Sequence, residues 1–315
     1  MVLIVSSSAK TAPFFFYSRF DAGHRADYMR FLEEKYGASR VGIFGALLAR
    51  KPVLFLMAEE RPVFVIFTML FRRVFAARTI ALLFRLRPLL NSSGAVAHVK
   101  RLVLKLLRKS KSFGFVSIVP SDIYPAVAEV CRYNIFDFQF WDCINDDCDS
   151  SLRDRSGMAV LGRQNADKGF PYVSEFLLSF KRISRLAIMG RISSDCKSNL
   201  SDILGVIPDA DVRNRFVSDT EVLDAYMAYK YVWCCYSPSY DQSSGILGRA
   251  IQFGNVPVVR SGSISESYCR ILADEYVSVE IENGEPLGFK VCMGLGGRAV
   301  LQSQSESFLR ILLGK

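Results

Sequence analysis

The sequence predicts an α/β protein of two domains, with a parallel, doubly wound sheet in the C-terminal half. Three observations predict it. The chain has 315 residues, half of them hydrophobic and 24 of them Phe, which is enough to build two cores. From residue 158 onward, short apolar runs alternate with helical patterns at the spacing of strand–helix units. Between the halves lies an acidic stretch holding Asp146, Asp147 and Asp149, which reads as a linker and divides the chain into 1–150 and 151–315. The same composition excludes disordered and collagen-like chains, and the absence of a 20–50-residue period excludes solenoids and propellers.

In the N-terminal half, VLIVS at 2–6 reads as a buried first strand, followed by a loop through Gly23. Residues 26–36 read as a helix with Met29, Leu32 and Tyr36 on one stripe. Residues 51–57 (KPVLFLM) open a region of apolar runs and helices, 115–119 read as a strand, and 124–131 as a helix. The most apolar run, 63–71, is nine residues long and closed by Arg72 and Arg73; a membrane span needs about 20 apolar residues, so this run is expected to be a buried strand or helix.

The C-terminal half is more regular. Strands are expected at 158–161, 186–189, 231–236 and 256–259, with helices at 172–180 and 246–253 between them. Ser218-Asp219-Thr220-Glu221 is a capping-box pattern opening a helix through Tyr229. Gly254 and Pro257 mark a helix stop. Parallel sheets of this kind take ligands at the C-terminal ends of their strands.

The net charge of +9, from 40 Lys and Arg against 31 Asp and Glu, is unevenly placed. Thirteen cations lie from Lys51 to Lys111 against Glu59 and Glu60 alone; from 112 to 150 the balance turns acidic, and the remaining C-terminal half is close to neutral. The segment from Lys100 to Lys111 sets Leu102, Val103, Leu106 and Leu107 at helical spacing among cations. It is either a basic amphipathic helix on an anionic membrane surface or a domain helix with a solvated face. No aromatic–basic interleaving accompanies the charge, so nucleic acid is not an expected partner. The eight cysteines show no zinc spacing, Cys234 and Cys235 read as core, and no cleavable signal is apparent; a reduced, cytoplasmic chain is expected.

Two loops after expected strands carry the chemistry. The first runs from Gly162 through Arg163 and Lys168 to Gly169: Gly162 allows a sharp turn, and the two cations suit a diphosphate. The other reading is a surface loop with solvated charges. The second runs from Ser237 through Asp241, Ser243 and Ser244 to Gly245 and ends at a helix start, an anion site by its free N–H groups. Ser243 or Ser244 is expected to be the N-cap. Neither a G-x-G-x-x-G fingerprint after the first strand nor a Walker A loop occurs.

Together these stretches resemble glycosyltransferases of the GT-B fold, particularly retaining family 4. The match runs from Met158 to Gly262, through Gly162-Arg163, Lys168-Gly169, Pro238-Ser239, Asp241, Gly245, Arg249-Ala250, Gly254 and Pro257-Val258-Val259. The resemblance implies two Rossmann-like domains facing a central cleft. It also implies a nucleotide-sugar donor used as substrate with no cofactor and no metal, and a hexosyltransferase activity on a glycan or lipid-linked acceptor in surface polysaccharide synthesis. Arg163 and Lys168, with Ser243, Ser244 and Gly245, would hold the donor diphosphate. Asp241 stands for the family's first glutamate, which orients the sugar, and Arg249 for the second, on the nucleotide side. An arginine cannot accept hydrogen bonds from ribose hydroxyls, and one extra residue separates Gly254 from Pro257. The Arg249 change motivates a second reading, a catalytically degenerate GT-B-like binding protein at the membrane surface. His24, in the loop after the first strand, would face the cleft as a catalytic group or be an exposed helix-start histidine. The acceptor-side domain would bring the enzyme to the inner face of the membrane as a peripheral protein.

Overall fold

A computed structural model describes residues 12–20, 24–75, 77–84, 86–91, 93–110, 113–140, 155–240, 244–282, 285–297, 300–301 and 303–314. The chain forms two compact units: 1–138 with 303–315, and 139–302.

Unit 1 holds strands β1 (Phe15–Tyr17), β2 (Ser39–Arg40), β3 (Val53–Phe55), β4 (Thr79–Leu83), β5 (Phe113–Ser117) and β6 (Tyr133–Asn134), with helices α1 (His24–Tyr36), α2 (Ile43–Leu48), α3 (Pro62–Arg73), α4 (Leu86–Asn91), α5 (Ala95–Leu107) and α6 (Val127–Val130). The strands pair in the order β2-β1-β3-β4-β5-β6, and every pairing is parallel. Order reverses beside β1, the mark of a doubly wound sheet. The expected strand at 2–6 lies outside the described residues. The expected loop through Gly23 is corrected: Phe15–Tyr17 is a strand, three residues long and bonded on both sides. A three-residue strand leaves too little alternation to be read from sequence.

Two further expectations for this half change. The run at 63–71 is a helix, started by Pro62 at its first turn. It is not buried throughout: Val65, Thr68 and Met69 face the core, while Val63, Phe67 and Leu70 face outward. In α5, Ala97 and Leu104 are buried, whereas Leu102 and Leu106 are exposed. Arg72, which closes the apolar run of α3, is fully buried. Its guanidinium donates to Thr79 Oγ1 at 2.8 Å and to the carbonyls of Ala46 at 3.0 Å, Lys51 at 2.7 Å and Arg78 at 3.1 Å, and also to that of Ala49. Burial lowers its pKa to about 10. One of the thirteen cations of that basic block is therefore a structural tie between α2, α3 and β4.

Unit 2 holds β7 (Met158–Leu161), β8 (Leu186–Met189), β9 (Asp211–Arg213), β10 (Tyr231–Cys234), β11 (Val256–Arg260), β12 (Glu275–Glu282) and β13 (Glu285–Met293), joined by α7 (Val173–Ser179), α8 (Lys197–Val206), α9 (Asp219–Ala228), α10 (Gly245–Gln252) and α11 (Ile264–Leu272). Their order is β13-β12-β11-β10-β7-β8-β9. The six strands β7 to β12 are parallel and lie in the 3-2-1-4-5-6 order of a dinucleotide-type sheet; β13 adds an antiparallel edge. Beneath them Phe170, Phe176, Phe180, Trp233 and Val258 form the core. The capping box is present: Ser218 Oγ accepts from Glu221 N at 3.3 Å, and Glu221 Oε2 accepts from Ser218 N at 3.0 Å. Asn255, the extra residue, is buried and donates to the carbonyls of Tyr226 and Tyr229 at 2.8 and 2.7 Å, which ties the end of α9 to the start of β11.

The sequence expected the division at 150 and all later residues in the second domain. The last helix, α12 (Gln304–Leu313), instead belongs to unit 1. Phe308 packs edge-on against Phe138, with centroids 5.0 Å apart, and Arg78 Nε donates to Ile311 O at 2.9 Å. The acidic linker residues Asp146, Asp147 and Asp149 lie outside the described residues.

Candidate active site

In a sheet of order 3-2-1-4-5-6 the chain leaves strand 1 in one direction and strand 4 in the other, and a crevice opens between their C-terminal ends. Here those strands are β7 and β10. The two loops singled out from the sequence are the ones that follow them.

After β7, Gly162 turns the chain at φ +82°, and its N–H donates to Met189 O at 2.9 Å. A side chain on Gly190, which ends β8 at φ +136°, would overlap Gly162 O, so the two turns interlock at a spacing only glycine allows. Gln164 is buried and returns its side chain to Gly162 O at 2.7 Å. Asn165 Oδ1 then accepts from Lys168 N at 3.0 Å, capping a 3-10 turn at Ala166–Lys168. Gly169 ends that turn at φ +68°, where any Cβ would overlap Cys235 O.

The first loop is joined to the second by several bonds. Ser237 N donates to Asp167 O at 3.0 Å, Ser239 Oγ to Asp167 Oδ1 at 3.0 Å, and Trp233 Nε1 to Lys168 O at 3.3 Å. The side chain of Lys168 lies against two rings, its Nζ 4.1 Å from the centroid of Tyr236 and 4.3 Å from that of Tyr240. An ammonium over aromatic faces is held by their quadrupoles and kept in one place. Tyr236 is buried, which raises its phenol pKa well above the ordinary value, and its hydroxyl meets Ser244 Oγ at 2.6 Å.

That contact alters the expected cap. Ser244 does occupy the N-cap position of α10, but its hydroxyl is engaged by Tyr236 and caps nothing on the helix. The first backbone bond of α10 is Gly248 N to Ser244 O at 3.0 Å, so the N–H groups of its first turn precede the helical ladder. Ile246 of this turn lies 3.8 Å from where a Gly162 side chain would begin, so both loops and the helix start share one place. Gly245 and Gly248 also have a packing reason: a Cβ on Gly248 would stand 2.6 Å from Gln139 O.

Of the residues expected at the site, Gly162, Lys168, Gly169, Ser244 and Gly245 are brought together. Arg163 is on the same loop, exposed at its outer edge. Arg249 stands one turn further along α10, where its Nη1 donates to Gln252 Oε1 at 2.9 Å. Asp241 and Ser243 lie outside the described residues. His24 is the first residue of α1 in unit 1, and its side chain is likewise outside them. Tyr236 and Tyr240 were not anticipated. Their signal was present, since two tyrosines four apart bracket the Pro238-Ser239 motif. Cys234 and Cys235 are buried core residues, and burial pushes the Cys234 thiol up to about 12.

No protein-family model matches the chain, and no curated protein sequence matches it. Solved structures similar to it include glycosyltransferases. One is a glycosyltransferase from Rickettsia africae ESF-5, 9% identical, covering 96% of this chain and 93% of that one at a TM-score of 0.44. Another is the UDP-forming α,α-trehalose-phosphate synthase of Burkholderia vietnamiensis, 11% identical, covering 94% and 73% at 0.47. A third is the C-terminal domain of a group 1 family glycosyl transferase from Francisella tularensis, 14% identical, covering 56% and 90% at 0.31. These likenesses are distant, and the two-sheet architecture stands on the strand orders themselves.

Proposed function

We propose that the chain transfers a sugar from a nucleotide-sugar donor, with the donor diphosphate at the C-terminal ends of β7 and β10. The observation that carries this reading is the pairing of Lys168, held between Tyr236 and Tyr240, with a helix start whose N-cap hydroxyl is drawn away to Tyr236. A fixed ammonium beside a helix N-terminus is the complement of a diphosphate. Departure of a nucleoside diphosphate places negative charge on the bridging oxygen. Lys168, Arg163 and the α10 dipole are suited to stabilise that charge as it develops, by electrostatics fixed in advance. In this reading the transfer is of hexosyl type without a metal, Asp241 orients the sugar, and the acceptor is a glycan or lipid-linked sugar of surface polysaccharide synthesis. The basic face of α5 then brings unit 1 to an anionic membrane on its cytoplasmic side.

The test begins with a thermal-shift screen of nucleotide sugars, because a ligand of the folded state alone raises the melting point. Calorimetry of the best donor follows. Lys168→Ala and Arg163→Ala are each expected to weaken binding by about tenfold or more, the worth of a charge-assisted hydrogen bond. Unchanged affinity in both variants refutes the site. Arg249 in the place of a glutamate supports a second reading, a donor-binding protein that does not transfer. Turnover of the bound donor by the purified chain excludes it.

A further inference from the structure

Unit 1 contains a cavity of about 580 Å³ between α3 and α5, floored by β4 and β5. Its floor is made by buried Leu83, Leu104 and Phe115, and its walls by Ile66 and Val103. At its rim stand Val63, Val96 and Val99, which are 81%, 69% and 58% exposed, together with the exposed Lys100. Besides Lys100, the polar residue in the lining is Glu59, whose Oε1 is taken by the backbone N–H of Phe84 at 3.0 Å. The volume falls within the roughly 300–1,000 Å³ of small-molecule sites, but the lining offers almost nothing to orient a polar ligand.

The surface around the rim is apolar as well. On α3, Val63, Phe67, Leu70 and Val74 recur at i, i+4, i+7 and i+11, and all are exposed. On α5, Val99, Leu102 and Leu106 form a second exposed row, and Phe44 and Leu48 extend the patch onto α2. An apolar surface of this extent on a folded domain marks a contact with something apolar. The charge beside it states what kind. From Arg61 to Ser121 the sequence contains no Asp or Glu, while Lys100, Arg101, Lys105, Arg108 and Lys109 follow α5 along its length. Lys105 is paired with Glu129 of α6 at 2.7 Å, and Lys100, Arg108 and Lys109 are exposed; apolar rows flanked by an excess of cations complement a bilayer with an anionic surface.

We infer that this face docks on an anionic bilayer and that the cavity between α3 and α5 takes one acyl chain of an anionic phospholipid, whose headgroup is met by Lys100. The inference rests on the membrane-side part of the function proposed above, and it is independent of sugar transfer. It assigns the wide apolar faces of α3 and α5, which would otherwise be a liability in water, to a hydrocarbon environment.

The experiment uses the full chain with vesicles of phosphatidylcholine alone or mixed with phosphatidylglycerol. Sedimentation reads docking; native mass spectrometry, after the protein is separated from the vesicles, reads retained lipid. The expected result is docking on the mixed vesicles at least tenfold stronger than on phosphatidylcholine, and one phosphatidylglycerol retained per chain. Ala97→Phe, which fills the cavity from α5, is expected to abolish retention. Val99→Glu, at an exposed rim position that tolerates a charge, is expected to abolish both readouts with the melting temperature unchanged. Docking without any retained lipid overturns the cavity assignment and leaves the membrane-side reading standing; no docking at all overturns both. Retention unaffected by either variant also overturns the assignment. A dimer in light scattering that Val99→Glu disperses, with no lipid retained, assigns the face to a second copy of the chain and overturns it too.

Discussion

The two units share an architecture and finish it differently. In unit 2, α9 and α11 begin on serines whose hydroxyls accept from Glu221 N and Glu266 N, and the loops at the strand ends are joined by side-chain and backbone bonds. Lys168 of this unit is placed by aromatic rings. In unit 1, α2, α3 and α5 start without a side-chain cap, as α7, α8 and α10 of unit 2 also do, but α3 and α5 turn apolar rows outward. One of that unit's cations, Arg72, is spent inside the fold. The difference shows that a doubly wound sheet leaves the helix surfaces free to be specified separately. Unit 2 joins its strand-end loops to one another and exposes apolar side chains along its edge strand β13, whereas unit 1 exposes them on the helices α2, α3 and α5.

The comparison is broken most severely at Arg72. Arg72→Met would leave the carbonyls of Ala46, Ala49, Lys51 and Arg78 without their donor, at an expected cost of roughly 3–5 kcal/mol. Hydrogen exchange is expected to rise in α3 and β4 and to stay low in unit 2; a cost under about 1 kcal/mol by denaturant unfolding would show that the guanidinium ties nothing. Next comes Gly169→Ala in unit 2, which combines positive φ with overlap on Cys235 O and is expected to cost about 2–3 kcal/mol. It should also misplace Lys168, so donor affinity in calorimetry falls with it. Ser218→Ala removes one half of the capping box and should cost about 1 kcal/mol in thermal unfolding. The smallest effect is at Tyr240. Removing one of the two rings around Lys168 in Tyr240→Ala should weaken nucleoside diphosphate binding about threefold, while Tyr240→Phe leaves it unchanged. Equal losses in both variants would mean that the hydroxyl, and not the ring face, matters.

The sequence was legible where side-chain pattern and backbone role coincide. Met158–Leu161 and Leu186–Met189 are read to the residue because a short buried run followed by glycine has few other meanings. Both loops of the candidate site were visible for the same reason. The outward face of α3 was not, because a run such as 63–71 looks alike whether its apolar partner is the core or lies outside the molecule. The ring cage of Lys168 depends on which side of a loop two tyrosines take, and that is settled by the Asp167 bonds to Ser237 and Ser239. The boundary was misread because the acidic segment dominates composition, whereas membership of a unit is decided by where Phe308 and Ile311 pack.

The return of α12 to unit 1 has a kinetic consequence. A chain emerging from the ribosome N-terminus first presents residues 1–138, then all of unit 2, and only then the helix that holds Phe308 against Phe138. Unit 2 is contiguous and has every residue it needs before unit 1 does. The first part of the chain to be made is thus the last to be completed. Until then Phe138 and Tyr36 lack their final cover, and closing unit 1 means joining segments separated by the whole length of unit 2. Folding of the nascent chain should therefore finish at its beginning, with the earliest-made sheet exposed longest to chaperones and to aggregation.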